Sequence, residues 1–137
     1  DCQRNFDNLR EFTDRLRSQT GVSLADDPDV RRRMSQLFIQ TRIAVLNNHR
    51  FAAMVPRGEA PGAEASIQKL HSTELNKTLY AFGLELVMSA DQCRPDFRQI
   101  LPELNEEFLR AFGFTIGGGT AQIQRNIIAE RVLGLPR

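Results

Sequence analysis

The sequence predicts an all-α fold, an up-down four-helix bundle with an extra carboxy-terminal helix. Three observations carry that prediction. Apolar side chains recur at spacings of three and four along most of the chain, and no run alternates with the period of two that a half-buried strand requires. Helix-start and helix-stop signals divide the periodic runs into four or five pieces. The connections between the pieces are short, which normally makes neighbouring helices antiparallel.

The first helix spans roughly Gln3 to Arg17, with Phe6, Leu9, Phe12 and Leu16 on one face, and Gly21 breaks it. The next starts at Pro28. Asp27 can accept from free backbone amides there, and proline suits a first helical position because its missing N–H has no partner to lose. This helix runs to about Met54. Val30, Met34, Leu37, Thr41, Val45 and Asn48 form its stripe, and Phe38, Ile39 and Ile43 widen it, so burial on more than one side is expected. Pro56 to Gly62 reads as a loop. A third helix runs from about Ala63 to Ala90 on the stripe Ile67, His71, Leu75, Leu79, Phe82 and Leu86, flanked by Leu70, Tyr80, Leu84 and Val87. Asp91 to Pro102 reads as irregular, because Pro95 and Pro102 limit any helix. A short helix follows from about Glu103 to Phe112, and a last one runs from Thr120 to about Leu133, stopped by Gly134 and Pro136.

A length of 137 residues suits one domain, residues 1–137, with a core of its own. The 18 basic and 17 acidic side chains leave a net charge of +1, which offers nothing to nucleic acid or an anionic membrane. Arg31, Arg32 and Arg33 form the one basic run and read as a solvated face. Cys2 and Cys93 are too few for a disulfide framework and lack metal-site spacing, so two free thiols in a reducing cytoplasm are expected. No apolar stretch approaches the roughly 20 residues that span a bilayer. No signal-peptide pattern opens the chain. Helical character already at residue 1 suggests that further sequence belongs upstream.

Gly117, Gly118 and Gly119, followed by Thr120 at a helix start, are the most informative spot. Glycines allow left-handed backbone and close approach to a ligand. The first amides of a helix have no partner within it, and the helix dipole adds partial positive charge. Such a start suits a phosphate or an oxyanion, although a threonine cap without a ligand would use the same residues.

The string Thr115-Ile116-Gly117-Gly118-Gly119-Thr120-Ala121-Gln122-Ile123-Gln124-Arg125-Asn126, continuing to Pro136-Arg137, resembles the terminal signature of bacterial acyl-CoA dehydrogenases. Ala65-Ser66-Ile67-Gln68-Lys69-Leu70 through Glu74-Leu75 is similar to that family's third bundle helix, and Pro28 to Arg50 to the preceding one. The resemblance implies the family's carboxy-terminal helical bundle, with an amino-terminal helical domain and a middle β-domain absent from this chain. It implies flavin-dependent α,β-dehydrogenation of an acyl-CoA thioester, with FAD as cofactor. It further implies an electron acceptor such as an electron-transfer flavoprotein, and a homo-oligomer (dimer or tetramer) or a paired dehydrogenase subunit. This fragment alone is expected to be inactive.

Carried over position by position, Thr120, Ala121 and Gln122 match residues that contact FAD. Gly117, Gly118 and Gly119 lie where the thioester is bound. Many relatives have Tyr-Glu-Gly-Thr there, the glutamate being the general base. Gly118 stands in its place, so no catalytic residue is assigned, and a base is expected upstream of Asp1, as in some branches of the family. The Arg-x-x-Phe-Gly string of relatives has only Leu9-Arg10-Glu11-Phe12-Thr13 here, and their Gln-x-x-Gly-Gly string has no counterpart in Val87 to Pro95. His71 reads as a hydrogen-bonded core residue and His49 as partly exposed. Glu64, Glu74, Glu85, Glu130 and Arg131 read as surface, paired or interface charges, and no metal site is expected. A non-catalytic scaffold in a dehydrogenase complex, a dehydrogenase of carrier-bound acyl groups and a helical binding module are the other functions weighed.

Overall fold

A computed structural model describes residues 2–54, 62–91 and 97–136. Its helices are α1 (Cys2–Arg15), α2 (Pro28–Met54), α3 (Glu64–Ser89), α4 (Phe97–Ile116) and α5 (Ala121–Ile127), with α5 widening into a π-helical segment at Ile128–Val132. The described residues contain no strand beyond one isolated bridge, Arg17 with Ser23. Four long helices and a carboxy-terminal one are therefore present, as the periodicity predicts.

Helix α3 is the element the others pack on: it meets α1, α2, α4 and α5. It buries Leu75, Leu79, Phe82, Gly83, Leu86 and Val87. Phe6 and Leu9 of α1, Leu37 and Ala44 of α2, and Leu16 and Leu24 between them complete the core with it. A Cβ added at Gly83 would come within 3.3 Å of Leu104 on α4 and 3.5 Å of Leu9 on α1. Glycine there sets how closely three helices approach.

The start of α2 follows the expected chemistry. Asp27 Oδ1 accepts from the Asp29 and Val30 amides at 2.8 and 3.1 Å, and Pro28 is the first helical residue. Between α1 and α2 the chain turns back at Gly21, whose φ is +80°. Leu16 lies just past the end of α1 but is 1% exposed, so it serves the core without being helical.

Several expectations are corrected. Helix α4 begins at Phe97 and ends at Ile116, so Phe97 to Pro102 is helical rather than irregular, and Thr115 and Ile116 belong to the helix. Pro102 sits in the second turn on the exposed side, where it removes one backbone bond without meeting the core. Helix α2 is buried on one side only. Leu37, Thr41 and Ala44 point inward, while Phe38, Ile39, Ile43 and Leu46 are 41–61% exposed. Arg33 is not part of a solvated face, because it pairs with Glu85 of α3 and lies 4.1 Å from the centre of the Phe82 ring. Arg32 pairs with Asp29 at 3.3 Å. The last helix does not run regularly to Leu133. It loosens after Ile127, with Leu133 N–H donating to Ile128 O at 3.0 Å, and ends at left-handed Gly134. Cys93 and residues 55–61 lie outside the described residues. Cys2 is buried, and burial pushes its thiol up.

His71 Nε2–H donates to Gln40 Oε1 at 2.9 Å, linking α3 to α2, while its buried Nδ1 has no partner. His49 is exposed. Burial pushes the His71 imidazole below its ordinary value.

Leu79→Ala should cost about 2–5 kcal/mol, read as a fall in the urea midpoint, because Leu79 is 2% exposed at the centre of the bundle. The folded state disfavours charged His71. Stability should therefore fall as pH drops through about 6.5, where an unfolded histidine takes up its proton. His71→Gln should flatten that part of a stability-against-pH curve.

Candidate functional site

The site is built where α4 hands over to α5. At the end of α4, Gly117 N–H donates to Gly113 O at 3.0 Å and Gly119 N–H to Ile116 O at 3.2 Å. Gly118 and Gly119 have φ of +70° and +102°, the left-handed region in which a Cβ is strained. Thr120 then takes extended backbone and caps α5, its Oγ1 accepting from Ile123 N–H at 3.4 Å. Its carbonyl accepts from Gln124 N–H at 2.9 Å.

Two side chains hold the carbonyls of the turn. Gln124 is 5% exposed, and its Nε2 donates to Gly118 O at 2.8 Å. Lys69 reaches from α3, where its Nζ donates to Gly119 O and, at 3.5 Å, to Thr115 O. Both carbonyls therefore turn toward protein donors. The N–H groups of Ala121 and Gln122 have no acceptor among the described residues. Gln122 and Gly118 are exposed, and Thr120 and Ala121 are partly so. Gly117 to Gln122 thus form one continuous donor-rich turn.

Sequence reasoning placed Thr120, Ala121, Gln122 and the three glycines together, and they form this turn. It missed Lys69 and Gln124. A lysine and a glutamine on amphipathic helices read as surface residues, and no spacing signal marks the one as reaching a turn or the other as buried beside it.

The turn offers hydrogen-bond donors and no acid or base, since its residues carry neither carboxylate nor imidazole. The other candidates lie elsewhere. Glu74 pairs with Lys77 at 2.9 Å, and Glu85 with Arg33. Among the described residues no three His, Cys, Asp or Glu side chains gather as a metal site, and no helix is long and apolar enough to cross a membrane. A groove of about 780 Å³ runs along α1, α3 and α4 past Phe12, Leu79, Tyr80 and Leu104, away from the turn. Burial there, with Glu107 nearby, raises the Tyr80 phenol.

The two left-handed glycines differ in their surroundings. A Cβ at Gly118 meets nothing within 4 Å, whereas one at Gly119 would come within 2.8 Å of Gln124 Nε2. Gly118→Ala should therefore cost only the backbone strain, about 1–2 kcal/mol. Gly119→Ala should cost more, by displacing the Gln124 amide from Gly118 O. Thermal midpoints of the two variants check that order.

The family described as acyl-CoA dehydrogenase, C-terminal domain, matches residues 1–133. Acyl-CoA dehydrogenase IpdE1 of Mycobacterium tuberculosis is 32% identical over 129 residues, covering 93% of this chain and 32% of that protein. IpdE1 of Mycolicibacterium smegmatis is 34% identical over 134 residues, covering 98% of this chain and 31% of that protein. The ChsE4–ChsE5 complex of Mycobacterium tuberculosis contains a chain that superposes with a TM-score of 0.79 at 25% identity, over 99% of this chain and 36% of its own. This chain thus spans about a third of the length of the relatives it matches. A helical bundle of this order, ending in a glycine turn and a capped last helix and matched along nearly its whole length, belongs to the acyl-CoA dehydrogenase family as its carboxy-terminal domain.

Proposed function

We propose that this chain is the carboxy-terminal bundle of a flavin-dependent enzyme that dehydrogenates acyl-CoA thioesters between the alpha and beta carbons, and that it supplies part of the FAD site. The observation that carries the reading is the turn from Gly117 to Gln122, in which the Ala121 and Gln122 amides have no acceptor among the described residues while Gln124 and Lys69 hold the Gly118 and Gly119 carbonyls. Such a turn fits a group rich in phosphate and carbonyl oxygens. Thr120, Ala121 and Gln122 would hold the cofactor, the threonine through a hydroxyl proton that its capping bond leaves free. FAD, when bound, supplies the hydride acceptor.

Gly117, Gly118 and Gly119 would lie along the thioester. The Gly118 N–H can polarise the thioester carbonyl, lowering the alpha-proton pKa by stabilising the enolate. It cannot take the proton. A carboxylate from sequence upstream of Asp1 fills that role in this reading. The electron acceptor would be an electron-transfer flavoprotein and the compartment the cytoplasm. A partner subunit, identical or not, would cover apolar side chains such as Phe38, Ile39, Ile43 and Leu46.

One observation favours a second reading. The turn has no carboxylate, as expected of a non-catalytic subunit that completes a paired dehydrogenase. That the chain superposed at 25% identity comes from a complex of ChsE4 with ChsE5 supports a paired assembly.

The full-length protein carrying this domain should purify with a visible flavin absorbance. Gln122→Ala should weaken FAD binding roughly two- to tenfold, the worth of one hydrogen bond, in a fluorescence titration. A wild-type protein that takes up no FAD in that titration overturns the reading. Thioester oxidation that appears only when a second subunit is added selects the paired form.

A further inference from the structure

We infer that Lys69 is a positioning residue that fixes the direction of the peptide groups in the glycine turn and so keeps its amides presented to a ligand. The inference rests, for the ligand being FAD, on the function proposed above. The geometric part stands on contacts within the chain.

Gly118 and Gly119 are both left-handed glycines, and without side chains the peptide units beside them can rotate at little steric cost. Rotation of the Gly119–Thr120 unit would swing the Gly119 carbonyl outward and the Thr120 N–H inward. The outer face of the turn would then carry a partial negative charge where an electron-rich ligand needs a donor. The sequence of the turn does nothing to prevent this, so the direction must be imposed from outside it.

Gln124 and Lys69 impose it, one on each carbonyl. Gln124 belongs to α5, which the turn itself starts, so it moves with the turn. Lys69 comes from α3, 50 residues away from Gly119, and ties the turn to the helix on which the bundle is packed. Its ammonium also lies at the carbonyl end of α4, donating to Thr115 O as well, where a positive charge complements the helix dipole. No carboxylate pairs with Lys69 among the described residues. Among the described residues its charge meets main-chain oxygens, and a charge-assisted bond of this kind shifts an equilibrium roughly ten- to hundredfold.

The test compares Lys69→Met, Lys69→Arg and, as a control for losing a cation from the same helix, Lys77→Met in the full-length protein. Lys77 pairs with Glu74 and lies 5.2 Å from the Phe112 ring centre, away from the turn. Hydrogen exchange at residues 115–124 is read by mass spectrometry, and FAD affinity by fluorescence titration. Lys69→Met should exchange about tenfold or more faster there and bind FAD about tenfold or more weakly, with the rest of the bundle protected as in the wild type. Lys69→Arg should recover most of both, and Lys77→Met should change neither. Unchanged exchange in Lys69→Met overturns the inference, as does faster exchange with undiminished FAD affinity. Exchange that rises equally throughout the chain also overturns it, since Lys69 would then be supporting the fold alone. A wild type without FAD affinity in which Lys69→Met still loosens only 115–124 supports the positioning role while removing the flavin reading.

Discussion

Burial of α3 against four other helices is the constraint from which the remaining elements take their places. An amphipathic surface helix needs one apolar stripe. Helix α3 widens that stripe, burying Leu75, Leu79, Phe82, Gly83, Leu86 and Val87 on one broad side, because α1 and α2 cover one part of it and α4 another. Gly83 marks one close approach, where Leu104 of α4 and Leu9 of α1 both come in. The Arg33–Glu85 pair, with Arg33 over Phe82, fixes the outer edge of the contact with α2. Such a half-exposed pair adds orientation more than stability. Most of the stabilisation comes from the apolar area that α3 removes from water.

The glycine turn depends on the same helix. Its backbone is permissive, its residues carry no titratable group, and its order comes from Gln124 on one side and Lys69 on the other. A turn of this kind separates two tasks that a glutamate in it would combine. It can donate hydrogen bonds to an electron-rich group, and it leaves proton transfer to a residue elsewhere. In the function proposed above, the turn performs the first task. In that same proposal, the second falls to a residue outside this chain, which spans about a third of its relatives' length.

What could be read from the sequence follows how local each cause is. The boundaries of α2 were legible because Asp27 and Pro28 act within one turn, and its end lay near a run of proline and glycine. The turn at Gly117 to Thr120 was legible for the same reason. Helix α4 was misjudged because Pro102 counts against a helix in any local reading, whereas the second-turn placement that makes it tolerable is visible only in three dimensions. The exposure of Phe38, Ile39 and Ile43 was misjudged too, since periodicity records which side chains are apolar and not whether the same chain covers them. Lys69 and Gln124 act over tertiary distance or through burial that polar residues seldom have, so nothing in their local sequence announces them.

The empty space beside Gly118 has an evolutionary consequence. A side chain there meets no neighbour within 4 Å, so the obstacle to a carboxylate at this position is left-handed backbone rather than lack of room. Some glycine and glutamate codons differ by one base. A lineage carrying this bundle can therefore gain or shed a carboxylate in the turn through a single substitution, at a modest conformational cost and with the core untouched. The bundle is in that sense indifferent to whether this position carries a carboxylate, and one scaffold accommodates either residue.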